Sequence, residues 1–209
     1  MRRAPDPRRV VVTGIGVVSP AGTGLEAFWR GLRTTPADRR ERTVEDFDPS
    51  PWLTGAQARR LDRFAQLAVV AAQLALDDRG DVPLADPARA GVHLGTGIGG
   101  VGTLEAQIAV LGDRGRVSPF TIPMVMPNAG AAAVSLRYGF QGPSETLTTA
   151  CDAGTHSVSA GARMVADGVV EVTVSVQAKP PGAIFGMLPS VHLASTAVSA
   201  VEQPDAQGD

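Results

Sequence analysis

Residues Ser144–Val176 read SETLTTACDAGTHSVSAGARMVADGVVEVTVSV, and this stretch decides the fold class. SETLTTA is typical of a short strand, AGTHSVSAGARMVADG predicts a helix that stops at a glycine, and VVEVTVSV predicts the next strand. A strand, a helix and a second strand in this order imply a right-handed crossover between parallel strands. The stretch therefore predicts an α/β protein with a largely parallel, buried sheet.

The same alternation of strands and helices extends toward the N-terminus. RRVVVTGIG (8–16) and AGVHLGTGIGG (90–100) predict two further buried strands. ARRLDRFAQLAVVAAQLALDDRG (58–80) predicts a long helix, because its apolar residues recur at steps of three and four and Gly80 supplies a stop. Shorter helices are expected over 24–32, 101–111 and 129–139, and the proline-rich segment 118–128 is expected to be irregular.

The periodic pattern decays after Val176. We therefore expect one domain over residues 1–176 and a degenerate, loosely ordered tail over residues 177–209. A chain of 209 residues is long enough for one sizeable α/β domain.

Composition narrows the function classes. The formal net charge of −2 gives no strong attraction to nucleic acid or to an anionic membrane. The longest apolar region is shorter than a bilayer span, and no apolar segment of a signal peptide precedes the first strand. The single cysteine excludes an internal disulfide and a cysteine-rich metal site. We expect a cytoplasmic protein without a metal, a nucleic acid or a membrane as partner.

Two glycine clusters invite comparison with nucleotide-binding loops. GIGVVS (14–19) lacks the third glycine and the later acidic residue of a dinucleotide fingerprint, so a strand-to-loop turn is expected there. GTGIGG (95–100) lacks the lysine of a phosphate loop, and a turn packed against neighbouring backbone is expected. A nucleotide-binding domain is thus disfavoured.

Cys151 lies where a strand ends and a helix begins. A helix N-terminus carries unpaired N–H groups and partial positive charge, which favour the thiolate. A sharp turn also lifts the side chain outward and can aim its own N–H at an oxyanion. These features suit acyl transfer through a thioester. The alternative is a small buried side chain, since free cysteine is often buried.

None of the three histidines is a good candidate for the base. His156 lies five residues after Cys151, which rotates it to the far side of a helix. We expect His156 to be packed and bonded to backbone, and His93 to be structural within its strand. A catalytic role for His192 is disfavoured, because it lies in the degenerate tail over residues 177–209.

Taken together, several stretches resemble the β-ketoacyl-acyl-carrier-protein synthases, the condensing enzymes of fatty-acid and polyketide synthesis. The matching stretches are RRVVVTGIGVVSPAG, RRLDRFAQLAVVAAQLAL, GVHLGTGIGG and the long run SPFTIPMVMPNAGAAAVSLRYGFQGPSETLTTACDAGTHSVSAGARMVADG. The resemblance covers Arg8 to about Val176. It implies one of the two repeats of a thiolase-like fold, with a mostly parallel mixed sheet and helices packed on both faces.

The resemblance also implies residue roles. Cys151 matches the nucleophile that accepts the acyl group, and the adjacent Ala150 falls among the substrate-binding positions. Ile98 resembles the residue at the floor of the acyl pocket. Thr121 occupies a position that reaches this pocket from the partner subunit and is commonly aromatic, which leaves chain-length preference open.

Partners follow from the same resemblance. Arg59, Arg60 and Arg116 match basic positions that meet the acidic acyl carrier protein, although ordinary solvated charge explains surface arginines equally well. No cofactor is expected, since acyl groups arrive on the phosphopantetheine of the carrier. The strand SETLTTA is similar to the one through which family members pair across a two-fold axis, which implies a homodimer or a heterodimer with a ketosynthase-like chain.

Family members are about twice this length, and their second half supplies two catalytic histidines, a lysine and the second oxyanion N–H. Removing one such donor typically costs about 3 kcal/mol of transition-state stabilisation. The first hypothesis is therefore a ketosynthase-type acyltransferase, incomplete as written, that loads Cys151 and condenses the acyl group with malonyl-carrier. The alternative is a catalytically inactive truncated ketosynthase that dimerises or binds carrier protein.

Overall fold

A mixed sheet of six strands forms the centre of the protein within the residues that the computed structural model describes. These are residues 10–34, 44, 47–81 and 86–170, together with the backbone of strands 172–178 and 195–202. The strands lie in the order β2-β1-β6-β5-β3-β4. Their bounds are β1 Val10–Ser19, β2 Gly22–Thr23, β3 Ala90–Thr96, β4 Ser144–Leu147, β5 Val172–Ala178 and β6 Ser195–Glu202.

Most strands of the sheet run in one direction. β3 pairs in parallel with β4 on one side and with β5 on the other. β6 runs antiparallel to both of its neighbours, β5 and β1, so β1 points the same way as β3, β4 and β5. The mostly parallel mixed sheet expected from the sequence is therefore confirmed.

The helices agree with the periodic patterns of the sequence, apart from their ends. The long helix α3 begins only at Arg63, because the Asp62 side chain accepts the backbone N–H of Phe64 as an N-cap. The proline-rich segment expected to be irregular contains one short helix, α5. The bounds are α1 Leu25–Thr34, α2 Gly55–Ala58, α3 Arg63–Arg79, α4 Val101–Arg114, α5 Thr121–Val125, α6 Ala129–Tyr138 and α7 Ala153–Ala166.

Helix α3 packs on one face of the sheet, and two glycines of β1 make this contact possible. A Cβ on Gly14 would lie 2.1 Å from the carbonyl oxygen of Ala75, and one on Gly16 would lie 2.1 Å from that of Ala71. The expected strand-to-loop turn in GIGVVS is therefore wrong: these glycines lie inside β1 and admit the helix backbone. The core around α3 includes Phe64, Val92 and Leu94.

Helix α7 packs on the opposite face, against β3 and β5. Successive residues of a strand face opposite sides. Leu94 belongs to the α3 cluster, whereas a Cβ on the next residue, Gly95, would lie 2.3 Å from the carbonyl oxygen of Ala153 in α7. Helices thus cover both faces of the sheet.

Strand β6 lies within the segment that the sequence predicts to be a loosely ordered tail. Its backbone pairs with β1 from Val10↔Glu202 to Val18↔Ser195 and with β5 from Val172↔Val201 to Gln177↔Thr196. The prediction is corrected for Ser195–Glu202, because pairing with two neighbours satisfies both edges of this strand. The domain boundary near Val176 stays a prediction.

Candidate active site

The backbone turns sharply between β4 and α7, and Cys151 lies at this turn. The strand ends at Leu147, a single 3₁₀ turn spans Ala150–Asp152, and the helix begins at Ala153. Ala150 has φ +52°, the left-handed value that side chains with a Cβ avoid. Ala150 is the one non-glycine residue with positive φ among the described residues. The backbone strain therefore lies directly before the cysteine.

Cys151 is exposed, which rejects the alternative of a small buried side chain. No side chain caps the start of α7, where Ala153 and Gly154 are buried against the sheet. The N–H groups of Asp152 and Ala153 donate to the carbonyl oxygens of Thr149 and Ala150 and hold the turn. The geometry presents a thiol to solvent at an uncapped helix N-terminus, as an attacking nucleophile requires.

His156 interacts with a side chain of the same turn. Its Nδ1 lies 2.8 Å from Oγ1 of Thr149, and both residues are exposed. Both parts of the expectation are therefore wrong: His156 is exposed rather than packed, and it bonds a side chain rather than backbone, because the turn carries the Thr149 hydroxyl over the first turns of the helix. The contact links the residue before the 3₁₀ turn to the second turn of α7. His192 lies outside the described residues.

His93 is fully buried in β3, beside Glu145 of β4. Its Nδ1 lies 3.6 Å from Oε2 of Glu145, and neither ring nitrogen has a hydrogen-bond partner among the described residues. Burial lowers the pKa of His93 below the ordinary 6.5, and the Glu145 carboxylate opposes this shift only in part. His93 is thus held neutral in the sheet, as a structural residue.

We expect the free energy of unfolding to fall as the pH drops below about 6.5. The unfolded chain protonates His93 at its ordinary pKa, whereas the folded chain does so only at lower pH. The contribution of neutral His93 to the free energy of unfolding is therefore fully present at pH values above the pKa of the unfolded chain. It is lost as the pH falls toward the lower pKa of the folded chain. In His93→Leu, the midpoint of chemical denaturation should change less between about pH 8 and about pH 5 than in the wild-type chain. A pH dependence of the midpoint in His93→Leu as steep as that of the wild-type chain contradicts the expectation.

The glycine loop that carries Ile98 lies at the same end of the sheet as Cys151. The parallel pair Gly95↔Leu147 brings the carboxyl ends of β3 and β4 together, just before Ile98 and Cys151. Ile98 is 41% exposed. A Cβ on Gly100 would lie 2.2 Å from the carbonyl oxygen of Met124, so the loop packs against neighbouring backbone, as predicted. The role of Ile98 in an acyl pocket stays a prediction.

Thr121 points into the protein. It is only 8% exposed, and its hydroxyl donates to the carbonyl oxygen of Ser118 at 2.6 Å. Its neighbours Phe120 and Ile122 are exposed apolar side chains, at 45% and 68%. Substrate binding by Thr121 and Ala150 stays a prediction.

The arginines predicted to meet a carrier protein lie on the surface. Arg59 and Arg60 follow α2, and Arg116 follows α4. The guanidinium carbon of Arg60 lies 5.4 Å from the ring centroid of Phe120, so Arg60 reaches the segment that begins with Arg116. The Arg60–Phe120 contact joins residues sixty positions apart, and no local pattern in the sequence signals it.

Comparison with solved structures places this architecture among the ketosynthases. A type II polyketide ketosynthase, solved with its acyl-carrier protein and bound to the hexaketide, superposes with a TM-score of 0.83 at 25% identity, over 94% of this chain and 63% of that chain. A beta-ketoacyl synthase from Burkholderia phymatum gives a TM-score of 0.78 at 20% identity, over 94% of this chain and 59% of that chain, and supports the fold alone. The fold is one half of a thiolase-like ketosynthase.

Sequence comparison identifies the family. The model of the beta-ketoacyl synthase N-terminal domain matches residues 35–180, and the chain belongs to this family. The 3-oxoacyl-[acyl-carrier-protein] synthase 2 of Vibrio harveyi is 36% identical over 197 residues, which are 86% of this chain and 48% of the relative. That of Synechocystis sp. is 35% identical over 184 residues, or 80% of this chain and 44% of the relative. The chain spans about half the length of the curated relatives it matches.

Two further observations concern helix length and possible metal ligands in the described part of the chain. No helix in the described part of the chain has the length and apolar character to span a membrane. Histidine, cysteine and acidic side chains do not gather in groups of three or more that could hold a metal ion within the same residues.

Proposed function

We propose that this chain is the nucleophile-bearing half of a β-ketoacyl-acyl-carrier-protein synthase, and that Cys151 accepts an acyl group from a carrier protein. The observation that carries the proposal is the exposed thiol at the strained turn between β4 and α7. The family resemblance at Thr149–Cys151 supports the same role.

The proposed step is a thioester exchange. The Cys151 sulfur attacks the carbonyl carbon of the acyl thioester, and the bond from that carbon to the phosphopantetheine sulfur breaks. The released phosphopantetheine takes up the proton that the Cys151 thiol loses, so no oxidant or metal is required. The backbone N–H of Cys151 is the candidate donor to the oxyanion, because it belongs to the same residue as the attacking sulfur.

Condensation with malonyl-carrier is proposed only for this chain together with a second half. That step builds negative charge on a carbonyl oxygen, which needs neutral imidazole donors. His93 is buried in the sheet, so only His156 among the described histidines is exposed to a substrate, and one imidazole does not supply the two that the resemblance implies. The resemblance assigns these donors to the half that the chain does not span.

A second candidate function is that of a non-catalytic partner, and the exposed apolar surface favours it. Strand β4 lies at the edge of the sheet and pairs only with β3 among the described strands. Large apolar side chains are exposed on α4 and in the segment after it, a surface typical of protein association. They are Leu104, Ile108, Leu111, Phe120 and Ile122.

Intact mass spectrometry after incubation with an acyl-loaded carrier protein tests the first function. We expect an adduct of one acyl group on the wild-type chain, complete loss of the adduct in Cys151→Ala, and its retention in Ser159→Ala, an exposed position further along α7. An adduct that survives in Cys151→Ala, or none on the wild-type chain, contradicts the proposal. Stable binding to a full-length ketosynthase without any adduct would support the second function instead.

A further inference from the structure

A cavity of about 260 Å³ lies between the α2 region, α3 and α6, apart from the Cys151 turn. Leu53 and Val69 form its buried floor, at 4% and 1% exposure. Leu136 of α6 stands beside the opening with 85% of its surface exposed, although it is apolar. The cavity is thus an open socket with an apolar interior, large enough for one long aliphatic or aromatic side chain.

The opening of this socket is positively charged. Arg60 and Arg137 line it, and none of its described lining residues is acidic. Each guanidinium is held by an aromatic ring: Arg60 lies 5.4 Å from the ring centroid of Phe120, and Arg137 lies 5.7 Å from that of Tyr138. Neither arginine has a carboxylate partner in the described part of the chain. Stacked in this way, both present planar N–H edges that suit carboxylates.

We propose that this socket binds an apolar side chain of the acyl carrier protein, with carboxylates of the carrier on Arg60 and Arg137. An apolar floor within a cationic rim selects an apolar anchor flanked by acidic residues. Arg60 belongs both to the rim and to the basic positions already expected to meet the acidic carrier, so the socket continues that surface. The inference rests on the proposed function and adds Leu136 and Arg137 to it as recognition residues.

The chain provides matched controls for both added residues. Leu32 and Arg33 form the same Leu-Arg pair near the end of α1 as Leu136 and Arg137 form near the end of α6, and all four are exposed. Because exposed side chains contribute little to folding, Leu136→Ser and Arg137→Glu should leave thermal unfolding close to wild type.

Titration of the full chain with acyl-carrier protein by calorimetry tests the socket. We expect Leu136→Ser and Arg137→Glu each to raise Kd about tenfold or more, while Leu32→Ser and Arg33→Glu leave it unchanged. If charge reversal at Arg59 or Arg116 weakens binding but Leu136→Ser and Arg137→Glu do not, the proposed role of the socket is wrong. Binding of the carrier protein at the basic positions would then still be supported. If the wild-type chain binds no carrier, the proposed function and the socket are both overturned.

Discussion

Gly95→Ala is expected to abolish acyl loading of Cys151 and to lower the free energy of unfolding by about 3 kcal/mol. The added Cβ would lie 2.3 Å from the carbonyl oxygen of Ala153 and 2.4 Å from its carbonyl carbon. These are backbone atoms in the first turn of α7, so no side-chain rotation relieves the overlap. The start of the helix must move away from β3, and Cys151, two residues earlier, must move with it.

Chemical denaturation and intact mass spectrometry on the same preparation check this expectation. Gly112→Ala is the matched control: Gly112 lies in α4, and apart from its chain neighbours and the backbone of its own helix, no described atom lies within 4 Å of the Cβ that it would gain. Since glycine weakens a helix interior, Gly112→Ala should raise the free energy of unfolding by about 1 kcal/mol and leave loading intact. Wild-type loading and stability in Gly95→Ala would show that β3 and α7 do not pack as described.

Much of the fold is predictable because its signals are local. The periodic apolar residues of α3 and the stop at Gly80 lie within one segment, as do the strand and helix that flank Cys151. The position of the candidate nucleophile at a strand-to-helix turn follows from these signals. Only the exact start of α3 requires knowledge of a side-chain bond, that of Asp62 with the N–H of Phe64.

The parts that sequence reasoning missed depend on contacts between distant segments. Strand β6 has a weak pattern of its own, and its place is set by pairing with β1, which lies almost two hundred residues earlier. The stack of Arg60 on Phe120 joins residues sixty positions apart. The role of Gly14 and Gly16 is visible only once α3 lies against β1. Burial by a remote partner leaves no local periodicity to read.

The conformation of Ala150 is the feature of the site that sequence reasoning could least supply. Alanine has no preference for positive φ, and nothing local distinguishes TTAC from an extended strand end. In the structure, the φ of +52° turns the chain from β4 into α7 and exposes Cys151. Such strain costs about 1–2 kcal/mol and persists only where the surrounding structure enforces it.

Ala150→Val is therefore expected to lower the free energy of unfolding by about 2 kcal/mol and to slow acyl loading at least about tenfold. A β-branched side chain tolerates φ +52° less well than alanine, so the turn relaxes and the thiol moves from its exposed position. Ala150→Gly removes the strain while keeping the backbone path, and should raise stability by about 1 kcal/mol with loading retained. Denaturation midpoints and quenched-flow mass spectrometry of the two variants measure both quantities. Equal stability in the valine and glycine variants would mean that Ala150 is not held at positive φ in solution, and the turn could then not be what presents Cys151.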